Sequence, residues 1–201
     1  DAGAQVQAGI RGLIRSAPIC SPVNAPLPSF SSTLSPTLLH DRLDMLQRMP
    51  IFGAIRADAL EFLLAQTRLR SVARGDFFFR HGDRALVMYV LETGRVSVRR
   101  TWGERELVLR SLGAGDCFGE MALMDLSARS ASVRAESDCT AIEIGPGDLL
   151  RLFEHDAEQF ALIQMNIARE LSRRLRVTDE LLFRATMGEQ PPGVDSVFQA
   201  L

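Results

Sequence analysis

Residues 118–133 read Phe118-Gly119-Glu120-Met121-Ala122-Leu123 and then, five residues on, Arg129-Ser130-Ala131-Ser132-Val133. The first half predicts a tight turn at Gly119 that opens a short apolar helix. The second predicts a small-residue strand headed by one arginine. Backbone N–H groups at a helix start have no intrahelical partner and sit at the positive end of the helix dipole, so they suit an anion. Glycine at 119 lets the chain turn sharply and approach a ligand closely. Arg129 offers a planar fork of donors to phosphate oxygens. Glu120 only accepts when ionised, which suits a ribose 2′-hydroxyl rather than the phosphate. Taken alone, Glu120 and Arg129 also fit a surface ion pair worth about 0–1 kcal/mol. The small residues around them, Gly119, Ala122, Ser130 and Ala131, leave room for a ligand instead.

This pattern resembles the phosphate-binding cassette of the cyclic nucleotide-binding domain family, which reads roughly Gly-Glu-x-Ala-Leu, a variable stretch, then Arg-(Ser/Thr/Ala)-Ala-x-Val. Arg129 stands nine positions after Glu120, within the family's range. The wider resemblance runs from about Leu43 to Phe183, with Gly75, Gly82, Gly94, Gly113 and Gly115 where the family turns. It implies an α+β fold: an eight-stranded antiparallel, jelly-roll-like β-roll flanked by N-terminal helices and a long C-terminal helix. It also implies roles. Glu120 takes the ribose hydroxyl and Arg129 the cyclic phosphate. The N–H groups of Met121 and Ala122, with the Ser130 hydroxyl, complete the cradle beside Gly119 and Ala131. Val98, Leu109, Leu112 and Phe118 form the apolar wall, or are simply core.

The run Arg173-Arg174-Leu175-Arg176-Val177-Thr178-Asp179-Glu180 resembles the central helix of the catabolite-activator branch. There an arginine matching Arg174 reaches the cassette glutamate, and a threonine matching Thr178 meets the adenine amino group, in some cases from the opposite subunit. Asp179 replaces that branch's serine and can still accept from the adenine N6 group. As a plain helix surface, Thr-Asp-Glu is an ordinary polar face. The ligand expected is cAMP, with cGMP the alternative: receptors for cGMP often carry threonine after the cassette arginine, where this chain has Ser130. No other cofactor is expected.

The 201-residue chain is 46% hydrophobic and 24% charged with a formal net charge of −2, which suits one compact core and lacks the basic excess of a general nucleic-acid binder. Cys20, Cys117 and Cys139 lie far apart and read as reduced residues of a cytoplasmic protein. His40, His81 and His155 are equally scattered, so no metal site is expected. No catalytic constellation appears in the spacing, and no apolar run approaches the ~20 residues of a membrane span.

Residues 1–38 read as a tail and linker. Val6, Ile10, Leu13 and Ile14 fall at helical spacing, and five of the nine prolines follow between Pro18 and Pro36. The segment either tethers something upstream or straps over the domain. The chain begins at Asp1 rather than methionine, as a piece of a longer protein would. Ser35-Pro36 predicts a helix start, Leu39, Leu43 and Leu46 give it one apolar face, and Pro50 ends it. A second helix is predicted at Ala57–Gln66. Short strands follow from Leu69 to Ile144. Val96 and Val98 alternate with Arg95, Ser97 and Arg99, the signature of a half-buried strand, and Trp102-Gly103 marks a hairpin turn before Glu106–Leu112.

Asp148 is expected to cap a helix to Glu154, with a hinge near His155-Asp156 and a long helix from Ala157 to Met187, closing a domain over 39–187. Ala161, Ala168, Leu171, Leu175, Thr178 and Leu182 fall on heptad a and d positions. That seam either pairs with a second copy, making a homodimer, or covers its own roll. The tail at 188–201 is too short for the helix-turn-helix domain of a DNA-binding regulator. The reading is therefore a signalling sensor whose ligand moves the long helix. The alternatives are a regulatory domain of a larger channel, transporter or enzyme, a truncated transcription regulator, and a docking module that binds nothing.

Overall fold

The computed structural model describes residues 36–125 and 127–188. Residues 1–35 of the expected 1–38 tail, with Ser35 and Cys20, and the segment from 189 onward lie outside the described residues, and positions 36–38 of that tail belong to a helix. Helix α1 (Pro36–Gln47) turns Leu43 and Leu46 into the core, with Leu39 packed against it. It stops before Pro50, which opens a 3-10 turn, Pro50–Phe52, whose Ile51 and Phe52 are buried. Helix α2 (Ala57–Gln66) buries Ala59, Leu60, Leu63 and Leu64.

Eight strands follow: β1 (Arg68–Val72), β2 (Phe77–Phe79), β3 (Met88–Thr93), β4 (Arg95–Trp102), β5 (Arg105–Gly113), β6 (Cys117–Phe118), β7 (Ser132–Ala135) and β8 (Cys139–Ile144). They form two antiparallel four-stranded sheets, in orders β1-β8-β3-β6 and β2-β7-β4-β5. This is the expected β-roll. One apolar cluster fills the space between the sheets, from Val72 and Phe78 to Leu112, Phe118 and Val133. A second joins Met88, Val90, Ile142 and Ile144 to the helices.

Two local expectations change. On β4, Ser97 is buried as well as Val96, because its hydroxyl bonds Glu136 at 2.5 Å and receives Arg99 Nε at 2.6 Å. Strict alternation fails where a side-chain network takes over the outer face. Asp148 does not begin helix α3 (Pro146–His155); Gly145 is the cap. Asp148 sits inside the first turn, and its carboxylate accepts the Gly145 N–H at 2.8 Å.

The chain breaks at Asp156, whose extended backbone separates α3 from α4 (Ala157–Thr186) and whose carboxylate caps α4 through Gln159 N–H. Phe160, Ile163 and Ile167 pack α4 onto the core. In the expected seam only Leu171 is partly buried; Ala161, Ala168, Leu175, Thr178 and Leu182 face outward. The seam is therefore not what covers the roll.

Two buried amides, which the sequence reading missed, fasten α4 to the turn before α2. Asn166 donates to Ile51 O at 3.2 Å and Gly53 O at 2.9 Å, while Gln159 Oε1 receives Arg56 N–H at 2.9 Å. A helix-face polar residue gives no sign in sequence that two carbonyls await it. Asn166→Leu strips both acceptors of their donor and is expected to cost about 2 kcal/mol, read as a lower urea midpoint.

Candidate functional site

Gly119 has φ +78°, so the turn into the cassette uses a conformation that side chains rarely adopt. The helix it opens is a single 3-10 turn, Glu120–Leu123. So short a turn has little dipole, and any cradle there rests on individual N–H groups. One of these, Ala122 N–H, already donates to Gly119 O at 3.1 Å, so the expected Met121–Ala122 pair is not wholly available.

A cavity of about 210 Å³ lies over this turn. Its lining includes Phe118, Gly119, Glu120, Met121, Ala122, Arg129, Ser130, Ala131, Val98, Leu112 and Arg174, so eleven sequence-predicted residues meet at one place. Three do not. Leu109 is the extra residue of a β-bulge, where β4 Val98–Arg99 faces Arg110 and Val108, and Arg110 reaches the lining instead. Thr178 and Asp179 are exposed on α4, and the Thr178 hydroxyl donates to Arg174 O at 2.9 Å. Within one chain they do not contact the cavity.

Arg129 and Glu120 form no surface pair. Arg129 is only 6% exposed. Its guanidinium donates to Val87 O at 2.7 Å and Gly119 O at 3.2 Å, and stacks 3.9 Å from the Phe79 ring centroid. Its Nε is buried with no partner. Burial pulls its pKa below the ordinary arginine value, and Tyr89, Asp83, Glu120 and Glu143 offset only part of that. Backbone bonds hold the residue in place: Arg129 N–H donates to Asp83 O at 2.8 Å, and Arg129 O accepts from Gly82 N–H at 2.9 Å.

Glu120 is 3% exposed and is paired with Arg174 Nη1, reaching across from α4 as the resemblance implied. Arg174 Nε also bonds Glu170 at 3.1 Å. Burial tends to lower the Arg174 pKa, but Glu120, Cys117 and Glu170 outweigh it and the net shift is upward. The Ser130 hydroxyl is exposed, 3.9 Å from Met121 Sδ.

The floor is aromatic. Phe118 meets Phe78 at 5.0 Å and Tyr89 at 5.4 Å, with Phe79 at 6.1 Å. The Phe77-Phe78-Phe79 run was the signal that would have found Phe79. Cys117 also lines the cavity, its thiol pushed up to about 12 by burial and by Glu120. That keeps it a protonated, unreactive wall residue. Among the described residues no His, Cys, Asp and Glu group could hold a metal, and no helix is long and apolar enough to cross a membrane.

Comparison with known proteins gives four matches. Residues 69–156 match the family model of the cyclic nucleotide-binding domain. The "Cyclic AMP receptor protein" of Thermus thermophilus is 33% identical over 131 residues, 65% of this chain and 59% of that protein. "Glutaminase 1" of Bradyrhizobium diazoefficiens is 34% identical over 140 residues, 70% of this chain but 22% of that protein. The chain thus spans about three fifths of the first relative's length and about a fifth of the second's. Among solved structures, the N-terminal domain of a transcriptional regulator from Streptomyces coelicolor A3(2) superposes with a TM-score of 0.59 at 31% identity, covering 69% of this chain and 95% of that one.

Proposed function

The chain belongs to the cyclic nucleotide-binding domain family, and from that premise we propose that it is a non-catalytic, cytoplasmic cAMP sensor that passes ligand binding to α4. The observation that carries the reading is Arg129, a buried guanidinium lining the cavity beside the Gly119 turn, whose Nε has no acceptor. A buried polar group of that kind needs an explanation, and an anionic ligand supplies one. Arg129 takes the cyclic phosphate, with the Ser130 hydroxyl at its rim, and Glu120 takes the ribose hydroxyl.

Coupling to α4 runs through Glu120. Its carboxylate already holds Arg174, so a ribose hydroxyl that shares it alters the bond anchoring α4 to the cassette. Asp156 is the hinge about which α4 turns. The ligand shifts that equilibrium by its differential affinity for the two positions. The outward seam on α4 supports a homodimer through this helix. It also supports the reading that Thr178 and Asp179 act on the adenine of the opposite copy, since in their own chain they do not contact the cavity. The effector that reads α4 lies in a longer protein, a regulator or a fused enzyme or channel.

A second ligand reading, cGMP, rests on Arg110. It lines the cavity with Val98, its partner across the β4–β5 ladder, and Leu112. A guanidinium only donates, so it suits the O6 and N7 acceptors of guanine better than the amino group of adenine. Calorimetric titration with each nucleotide is the test. Tighter binding of cAMP is expected, tighter binding of cGMP transfers the specificity to Arg110, and binding of neither at micromolar concentrations ends the sensor reading. Hydrogen exchange on the same samples is expected to change over residues 157–186 when ligand is added; an unchanged α4 would separate binding from coupling.

A further inference from the structure

Residue type and burial disagree at one point of the cavity wall. There β5 offers Leu109 and Arg110 in succession to Val98, which packs with Leu112, Phe118 and Val133. An apolar wall favours leucine, because a guanidinium gives up hydration on entering it and leucine does not. Yet Arg110 lines the cavity, and Leu109 is the extra residue of the bulge. Moving the bulge by one residue would exchange the two and leave the rest of the ladder in place. Val108 would still face Arg99, and Ser111 would still face Ser97, as both do now. Two closely related ladders are therefore available, and the structure takes the one with the charged residue inside.

What separates them lies on the opposite face of the sheet. Ser97 and Arg99 alternate with Val96 and Val98 onto that outer face. Arg99 Nη1 lies 2.7 Å from Glu106 on β5, and Nη2 lies 2.8 Å from Glu136, just after β7. Its Nε donates to the Ser97 hydroxyl at 2.6 Å, and that hydroxyl donates to Glu136 at 2.5 Å. The Arg99 side chain is only 15% exposed, so this is a fixed arrangement and not a loose surface pair. An Arg110 turned outward would meet Arg99 across the ladder, with both carboxylates of the network already engaged. Neighbouring like charges on one face of a sheet repel.

We propose that Arg99 is a positioning residue for ligand specificity: by occupying Glu106 and Glu136 it keeps the bulge at Leu109 and so holds Arg110 in the cavity wall. Without its charge the two carboxylates have no cation. Arg110 is then drawn outward to them, and Leu109 takes its place opposite Val98. Arg99 is not among the residues lining the cavity, so it acts through Arg110, from the far side of the sheet. The specificity half of this rests on the nucleotide reading above; the position of the bulge does not.

Proton NOEs across the β4–β5 ladder read the bulge directly, without nucleotide. Wild type is expected to show Val98 against Arg110, and Arg99→Met to show Val98 against Leu109. Arg99 lies outside both apolar clusters, so the change leaves the core intact. Arg99→Lys keeps a cation beside the carboxylates and is expected to keep the wild-type pattern. Adding Glu106→Gln and Glu136→Gln to Arg99→Met removes the attraction and is expected to restore that pattern. Val98 still against Arg110 in Arg99→Met overturns the proposal, and so does Leu109 persisting opposite Val98 in the triple variant. Titration calorimetry then reads specificity. Arg110→Leu is expected to lower the affinity for cGMP relative to cAMP by about fivefold or more. Arg99→Met is expected to do the same, and the double variant no more. A ratio that Arg110→Leu leaves unmoved, or losses that add in the double variant, overturns the specificity role. Binding of neither nucleotide ends the sensor reading, and the NOEs still decide what holds the bulge.

Discussion

Replacing Arg129 with leucine is expected to weaken cyclic nucleotide binding by about a hundredfold or more. The guanidinium offers two charge-assisted hydrogen bonds to a phosphate, each worth about 1.5–3 kcal/mol. At about 1.4 kcal/mol per decade, their loss exceeds two decades of affinity. The same change is expected to move the melting temperature little. Leucine leaves Val87 O and Gly119 O without the donor they have now, but it also removes a buried cation with no carboxylate partner and an orphaned Nε. These two effects oppose each other. Arg129→Lys keeps the charge without the fork and is expected to fall between wild type and leucine. Titration calorimetry and thermal melts on the three proteins decide it. If Arg129→Leu binds as tightly as wild type, the phosphate role is wrong; if it fails to fold, the cation is structural and the balance just described is wrong.

The second large effect concerns the fold. Gly94→Ala is expected to destabilise the protein by about 3 kcal/mol or more, from about 1–2 kcal/mol of backbone strain and about 1–3 kcal/mol of overpacking. Gly94 is the one-residue link between β3 and β4, at φ +92°. A Cβ there would lie 2.5 Å from Asp138 O, 2.6 Å from Cys139 Sγ and 3.0 Å from Cys139 Cα. The Asp138 carbonyl and the Cys139 Cα, where β8 begins, are backbone atoms that cannot readily step aside, so the cost falls on folding. A Cβ on Gly119 would also approach to 2.5 Å, but against the end of the Arg129 side chain. There the cost falls mainly on the position of Arg129, and hence on the ligand. Urea unfolding checks the first: a midpoint for Gly94→Ala within error of wild type would mean that the β3–β4 link is looser than the structure has it.

Much of the fold was legible in the sequence because its signals are local. Glycine turns, proline stops and the apolar face at Leu39, Leu43 and Leu46 act within a few residues. The cassette was legible for the same reason, since Gly119, Glu120 and Arg129 lie on one short segment and eleven of the fourteen expected residues meet at the cavity. Leu109 failed because of a bulge. One extra residue on β5 rotates everything after it, and a bulge is set by how two strands settle against each other. Ser97 failed likewise, since its burial depends on Arg99 and Glu136, the latter on a distant stretch of chain. Thr178 and Asp179 show the opposite case: their residue types fit a base contact, but α4 turns them away from the cavity of their own chain.

By itself, then, the sequence determined the family, the order of elements and the cassette arginine that lines the cavity, because each depends on residue type and short-range spacing. Only the tertiary structure decided what each charge faces. Arg129 is sunk against two carbonyls and a phenyl ring rather than paired with Glu120, and Glu120 is held by Arg174 from a helix more than fifty residues away. The strength of a charge depends on burial and on which partner lies within about 3 Å. Both are set when the roll closes and α4 lies across it, and neither is carried by the local sequence around the residue.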